Sequence, residues 1–312
     1  MRSLMSAGSR VFPLLIIVAL ASCSSAPPRS DAVTDVKSQA TDAEVSGQHY
    51  YSLGRYDLAL QFFQQSLDQN ASVDNVDGVI RSRIAIGQVY LATGRLPAAE
   101  DMLSSAQAQA KARGNLPLYI DSSISLGELS LRKDDPQAAL GTLQKVLNTP
   151  QLKMTPEQTG VLYHDIGVAW KESGDMAKAL DWLSRSLQNN LTGKLLASAA
   201  ADYYMIASVH SKQGDFAAAS ANAEQALALD KKIENSPGIA MDLYALGLIA
   251  TRRADSTAAY DYYQRAYSAF STLGDRNGMR KTLTELVPLA QSLGLTEDAQ
   301  GYQQALAKVG AQ

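Results

Sequence analysis

The sequence predicts an all-α protein, a solenoid of about seven helix-turn-helix units, and three observations predict it. Small residues, and finally Val287, recur every forty positions: Gly47, Gly87, Gly127, Gly167, Ala207, Gly247 and Val287. Twelve positions after each stands an alanine: Ala59, Ala99, Ala139, Ala179, Ala219, Ala259 and Ala299. Seven positions after each comes a turn between two helical patterns, at Gly54, Gly94, Asp134, Gly174, Gly214, Ala254 and Gly294. A fixed period of this length marks stacked units that each bury one face on the next.

The first 41 residues precede this repeat. Arg2 and Arg10 supply a positive n-region, and Val11 to Leu20 (VFPLLIIVAL) is an apolar run of ten residues ending in Ala21-Ser22, so residues 1–22 read as a secretory signal peptide. The run is about half the ~20 residues a spanning helix needs, and Pro13 interrupts it. Directly behind it stands Cys23, the one cysteine of the chain, which alone closes no intramolecular disulfide. Leu20-Ala21-Ser22-Cys23 resembles the lipobox of bacterial lipoproteins. That resemblance implies a diacylglyceryl group on the Cys23 thiol, cleavage before Cys23 and acylation, as by palmitate, of the new amino group. Two or more acyl chains anchor a protein stably, where one binds marginally. Ser24 rather than aspartate after the cysteine implies, by the same resemblance, the outer membrane of a Gram-negative envelope, with the chain facing the periplasm. Residues 23–41, with two prolines and several serines, are expected to be the lipidated N-terminus and a flexible tether. Net charge is −3, and −5 once Arg2 and Arg10 leave with the signal; with no basic run, this argues against a nucleic-acid partner.

Residues 42–312 form the repeating part. Before each turn, apolar or small residues recur at helical spacing, as in Ile86, Gly87 and Tyr90, or Tyr163, Ile166, Gly167 and Trp170. After it, Ala179, Leu183 and Ser186, or Ala259, Tyr263 and Ala266, repeat every three to four residues. Small marker residues allow close helix approach, and the aromatic fills the neighbouring gap. Loop-like clusters at Asn70–Gly78, Arg113–Pro117, Asn148–Pro156, Asn189–Gly193, Glu234–Gly238 and Gly274–Gly278 fall between units. Pro288 and Gly301 sit inside the two helices of the last unit, which is expected to be a kinked, degenerate end cap.

"GQHYYSLGRYDLALQFFQQSL" (47–67) and "GQVYLATGRLPAAEDMLSSA" (87–106) resemble the tetratricopeptide repeat, whose pattern sets a small residue, an aromatic three later, a turn glycine and an alanine at these offsets. The usual unit is roughly 34 residues; forty resembles the longer class found in some regulator scaffolds, and "LGDRNG" (273–278) is similar to its inter-repeat link. The resemblance implies a right-handed α-solenoid over roughly residues 42 to 307.

Chemistry is sparse. His49, His164 and His210 lie in different units, and neither HExxH, CxxC nor paired-histidine spacing occurs, so no metal and no cofactor is expected. His210 takes the aromatic gap position of Tyr90 and Trp170 and reads as packing, whereas His164 lies on the opposite stripe and could touch a ligand. In "LTGKLL" (191–196) Gln188 stands where a phosphate-binding loop needs its first glycine. Asp134, Asp135 and Glu157 fall in turns or helix starts, where acidic groups suit the dipole. With no nucleophile paired to a base, enzymatic activity is not expected.

What remains is surface. With the core positions fixed, the inner stripe of the first helices carries Arg81, Ile84, Gln88 and Leu91; Asp121, Ile124, Glu128 and Leu131; Val161, His164, Val168 and Lys171; Tyr204 and Ser208; Met241, Tyr244 and Leu248. It is more apolar than a solvated face requires. Either these side chains pack between repeats or they line a cleft for a peptide or protein partner, in which case Ile84, Leu91, Ile124, Leu131, His164, Tyr204, Met241, Tyr244 and Leu248 are the candidate contacts. Glu44, Gln48, Ile84 and Gln88 do not match the family members that clamp a chaperone's C-terminal carboxylate. The expected function is therefore a lipid-anchored scaffold or adaptor in envelope assembly, pilus or secretion work, or cell-wall enzyme recruitment. The alternative is a carrier of a small hydrophobic ligand or lipid in the same cleft.

Overall fold

The computed structural model describes residues 30–149 and 153–310, and among them the chain is fourteen helices with no strand. They pair as α1 (Ser30–Ser52) with α2 (Tyr56–Ser72), α3 (Val76–Ala92) with α4 (Leu96–Ala112), α5 (Leu116–Arg132) with α6 (Pro136–Leu147), and α7 (Pro156–Glu172) with α8 (Met176–Thr192). The remaining pairs are α9 (Leu196–Gln213) with α10 (Phe216–Lys232), α11 (Ser236–Arg252) with α12 (Ser256–Leu273), and α13 (Arg276–Ser292) with α14 (Thr296–Gly310). This is the all-α solenoid of seven helix-turn-helix units.

The forty-residue period has a packing cause. α2, α4, α8 and α12 each bury residues at successive steps of four, three and four: Ala59, Phe63, Ser66 and Asn70 in α2, Ala179, Leu183, Ser186 and Asn190 in α8. That is one narrow helix face. The marker glycine of the first helix receives the second residue of this stripe, sixteen positions later. A Cβ on Gly87 would stand 2.6 Å from Leu103, and one on Gly127 2.5 Å from Leu143. Where the marker is Ala207, the facing residue is Ala223, also fully buried. A large side chain is admitted only where its partner is glycine, because interiors are close-packed.

The turn residue seven after each marker is left-handed throughout, including non-glycines: φ is 59° at Asp134 and at Ala254, and 70° at Gly54. Four residues placed forty apart, Asp135, Asp175, Asp215 and Asp255, then accept a hydrogen bond from the backbone N–H three residues on and so cap α6, α8, α10 and α12. The first two units carry Arg55 and Arg95 there instead, each guanidinium lying over the aromatic of the preceding helix, Tyr50 at 5.7 Å and Tyr90 at 4.5 Å.

Odd-numbered helices from α1 to α11 also pack on the next odd-numbered helix, which the even-numbered ones do not do to a comparable extent. The odd helices therefore form the tighter, inner side of the coil. Core clusters straddle neighbours rather than forming one centre; Ile80, Leu91, Leu103 and Leu118, from α3, α4 and α5, share one.

Three expectations meet the structure differently. The signal segment and Cys23 lie outside the described residues. Residues 30–41, expected to be tether, are instead the first half of α1, a helix with Ala40 and Ala43 buried beneath an otherwise mostly exposed face. α13 runs through Pro288 as one helix with that residue exposed, while α14 buries only Ala299, as an end cap requires. No helix among the described residues is long and apolar enough to cross a membrane.

Candidate functional site

The inner face is not one continuous apolar strip. Its first hollow, about 300 Å³, lies where α1, α3, α5 and α7 meet. Ile84, Leu118, Ile124 and Val161 line it together with Gln48, Gln88, Ser125 and Gln158, and with Glu44, Arg81, Asp121 and Glu157. The unit boundary before α7 shapes it. α6 is only 12 residues long, and α7 restarts with a capping box in which Thr155 Oγ1 accepts from the Gln158 N–H and Gln158 Oε1 accepts from the Thr155 N–H. The Gln158 amide then donates from Nε2 to Asp121 Oδ1 at 2.7 Å, tying α7 to α5 across the hollow. Arg81 Nε is 3.5 Å from Glu44 Oε2. Burial pushes the Asp121 carboxyl above its ordinary range, against the lowering effect of Gln158.

Further along, Val161 and His164 of α7 face Ala201 and Asp202 of α9 around a smaller hollow. Asp202 is fully buried; His164 Nδ1 lies 2.7 Å from its Oδ1, Asn190 Nδ2 donates to its Oδ2 at 2.7 Å, and Ser186 Oγ lies 2.9 Å from the same oxygen. Burial works to lower the His164 pKa, but the hydrogen bond to Asp202 and the charges of Asp165, Asp202 and Glu128 outweigh it and leave the imidazole raised. Burial also pushes neighbouring Asp165 up to about 7, with the His164 charge opposing and Glu128 assisting. A third hollow, between α9 and α11, is lined by Tyr204, Ser208, Ser211, Leu248, Lys212 and Arg252.

The candidate contacts divide. Ile84 and Ile124 line the first hollow at 6% exposure each, Tyr204 and Leu248 the third, and His164 the second. Met241 is 49% exposed on the inner face. Leu91, however, is 1% exposed and packs with Ile80, Leu103 and Leu118, so it belongs to the interior and meets no partner. Leu131 is half-buried against the α5–α7 cluster, and Tyr244 lies with its ring 5.7 Å from that of Tyr263. At these two positions the stripe serves packing between helices. Glu157 and Gln158 were missed because they lie one turn before the stripe, in the first turn of α7. Their signal was the Thr-Pro-Glu-Gln start at 155–158, a helix N-terminus with proline at its first position. No group of three or more histidine, cysteine, aspartate or glutamate residues among those described could hold a metal ion.

A family model described as tetratricopeptide repeat matches residues 43–112 and 197–272. No curated protein matches the sequence. Among solved structures, the chain is similar to a Rap protein complexed with Competence and Sporulation Factor, with 11% identity, 90% of this chain and 79% of that one covered, and a TM-score of 0.68. The Rap conjugation gene regulator of plasmid pLS20, solved in complex with the Phr* peptide, is 15% identical over 76% of this chain and 64% of its own, with a TM-score of 0.63. A putative kinesin light chain from Podosopora anserina with nearly identical TPR-like repeats is 17% identical over 62% of this chain and 96% of its own, at 0.51. At these identities the likeness is one of fold. Seven helix pairs on a forty-residue period, two stretches matched by the family model and three solenoids of the same architecture lead to one conclusion: the chain carries tetratricopeptide repeats, over residues 43–112 and 197–272, within a solenoid of that fold.

Proposed function

We infer that the chain is a scaffold whose inner face holds an extended segment of a peptide or protein partner, and that a lipid on Cys23 ties it to the outer membrane on the periplasmic side. The observation that carries the first part is the open inner face: Val161, 43% exposed, stands among the amides of Gln48, Gln88 and Gln158, and further along, on α11, Met241 is 49% exposed. Apolar anchors beside side-chain amides suit an extended backbone, whose N–H and C=O groups need partners when desolvated. A similar solenoid solved with a bound peptide supports the reading. A lipid carrier would need a more enclosed and more apolar cavity than the first hollow, about half of whose lining residues are charged or amide.

The anchor rests on the cysteine after the apolar run. With α1 starting at Ser30, six residues separate it from Cys23, a reach of at most ~20 Å. The solenoid would then work close to the membrane, raising the local concentration of whatever it captures. Photo-crosslinking groups at positions 161 and 241, with exposed Gln225 on α10 as control, test the groove in cells. Adducts from 161 and 241 that map to one contiguous partner segment are expected, and equal labelling from 225 would overturn the assignment. For the anchor, Cys23→Ser is expected to move the chain out of the membrane fraction; unchanged fractionation would remove the lipid from the account.

A further inference from the structure

The chemistry of the first hollow specifies what kind of segment it accepts; this rests on the groove reading above. Three carboxylates, of Glu44, Asp121 and Glu157, line it against one cation, Arg81. Arg81 is committed to Glu44 at 3.5 Å, so the charge of Asp121 and Glu157 is left without a counter-charge from the lining. Asp121 is half-buried, and Gln158 Nε2 is the donor its Oδ1 receives, held in place because the same glutamine closes the capping box. Oδ2 is left to the hollow. Between the carboxylates the wall is Ile84, Ile124 and Val161. An apolar wall ending at an under-compensated carboxylate matches a side chain with a long methylene stem and a positive head. The hollow between α9 and α11 has the opposite character: Lys212 and Arg252 line it and no carboxylate does. Charge complementarity therefore directs a cation to the α1–α7 end of the groove and away from the α9–α11 end.

We propose that the hollow between α1, α3, α5 and α7 is a specificity pocket for a lysine or arginine side chain of an extended partner segment, with the stem on Ile84, Ile124 and Val161 and the charge at Asp121. Burial raises the pKa of Asp121, and a cation bound beside it would act in the opposite direction.

The test is a positional-scanning library of acetylated, amidated peptides of about nine residues, ~30 Å when extended, selected on the full chain. Lysine or arginine is expected to be enriched at one position. In anisotropy titrations of the best lysine peptide, norleucine at that position is expected to weaken binding by about tenfold or more. Asp121→Asn, which preserves the acceptor for Gln158, is expected to erase the difference between the two peptides. Because both peptides meet the same variant, a general loss of fold cannot imitate that coupling. Enrichment of peptides without a basic residue, or equal lysine preference in the variant and the parent, overturns the pocket assignment and leaves the groove reading standing. No enrichment at all overturns both.

Discussion

Asp202 and Asp242 stand forty residues apart at the same phase of the repeat, each buried in the first helix of its unit against the second helix of the unit before. Their surroundings are opposite. Asp202 has His164, Ser186 and Asn190 around its two oxygens. At the matching positions Asp242 meets Tyr204, Ala226 and Asp230. Its Oδ2 is buried with no donor, and its carboxyl is paired with that of Asp230. Burial, then the Asp230 charge and that hydrogen bond, push Asp242 up to about 8. One repeat position thus makes a fully satisfied polar knot at one junction and a strained carboxyl pair at the next. Helical phase sets where a polar residue lies, and only the neighbouring unit decides whether burying it stabilises the stack.

The largest expected effect breaks the satisfied junction. Asp202→Ala leaves three polar groups of α7 and α8 without their common acceptor and should cost about 4 kcal/mol, read as a lowered urea midpoint. Because a solenoid is stabilised by nearest-neighbour interfaces, hydrogen exchange should rise first in α7 to α9.

The strained junction should respond with the opposite sign. A carboxyl whose folded pKa lies above the unfolded value of 3.8 contributes stability that is fully present below that value and lost as pH rises through the folded pKa, here about 8. Asp165, raised to about 7, acts in the same direction over a narrower window. The chain should therefore be most stable in mild acid and weaken from about pH 4 to 8. Asp242→Asn removes the upper part of that loss, for a gain of about 2 kcal/mol near pH 8 and little change near pH 4. Urea titrations at the two pH values check it; a variant that weakens the chain at pH 8 would show that the carboxyl pair is a needed contact.

Transplanting the knot sharpens the comparison further. Ala226→Ser with Asp230→Asn gives Asp242 the hydroxyl and amide that Asp202 enjoys, and removes the competing carboxyl. The gain should be about 1–2 kcal/mol at pH 8, smaller than for Asp242→Asn because a charge stays buried and Tyr204 supplies no imidazole. If the double variant gains nothing over Asp230→Asn alone, the hydroxyl does not reach across from α10.

Much of this was legible in the sequence, and the failures have physical reasons. Marker glycines and alanines could be placed because close helix approach tolerates almost nothing else, as the pairs Gly87–Leu103 and Ala207–Ala223 show. The start of α1 was not, since residues 30–41 bury so little that an exposed helix and a tether have the same composition. Helical phase put Ile84, Ile124, Asp121 and Val161 on one stripe, and the four line the first hollow. It misplaced Leu91, because whether a stripe residue faces solvent or the next odd helix depends on how tightly the coil winds. The buried knot carried a faint signal: Asn70, Asn190 and Asp230 share one phase of the repeat, where Ala110 and Phe270 stand in other units.

His164 offers the smallest and most specific test. Its raised pKa means that its contribution is fully present below the ordinary histidine value and is lost as pH climbs through the folded one. His164→Gln keeps a donor toward Asp202 but no charge, so it should cost about 1 kcal/mol near pH 5 and less near pH 8. The side chain is also 23% exposed beside Val161, on the wall of the hollow between α7 and α9. A ligand that lies against this wall would bury the imidazole further. Binding with a pH dependence that His164→Gln abolishes would place the ligand there, while an unchanged profile would restrict His164 to holding α7 on α9.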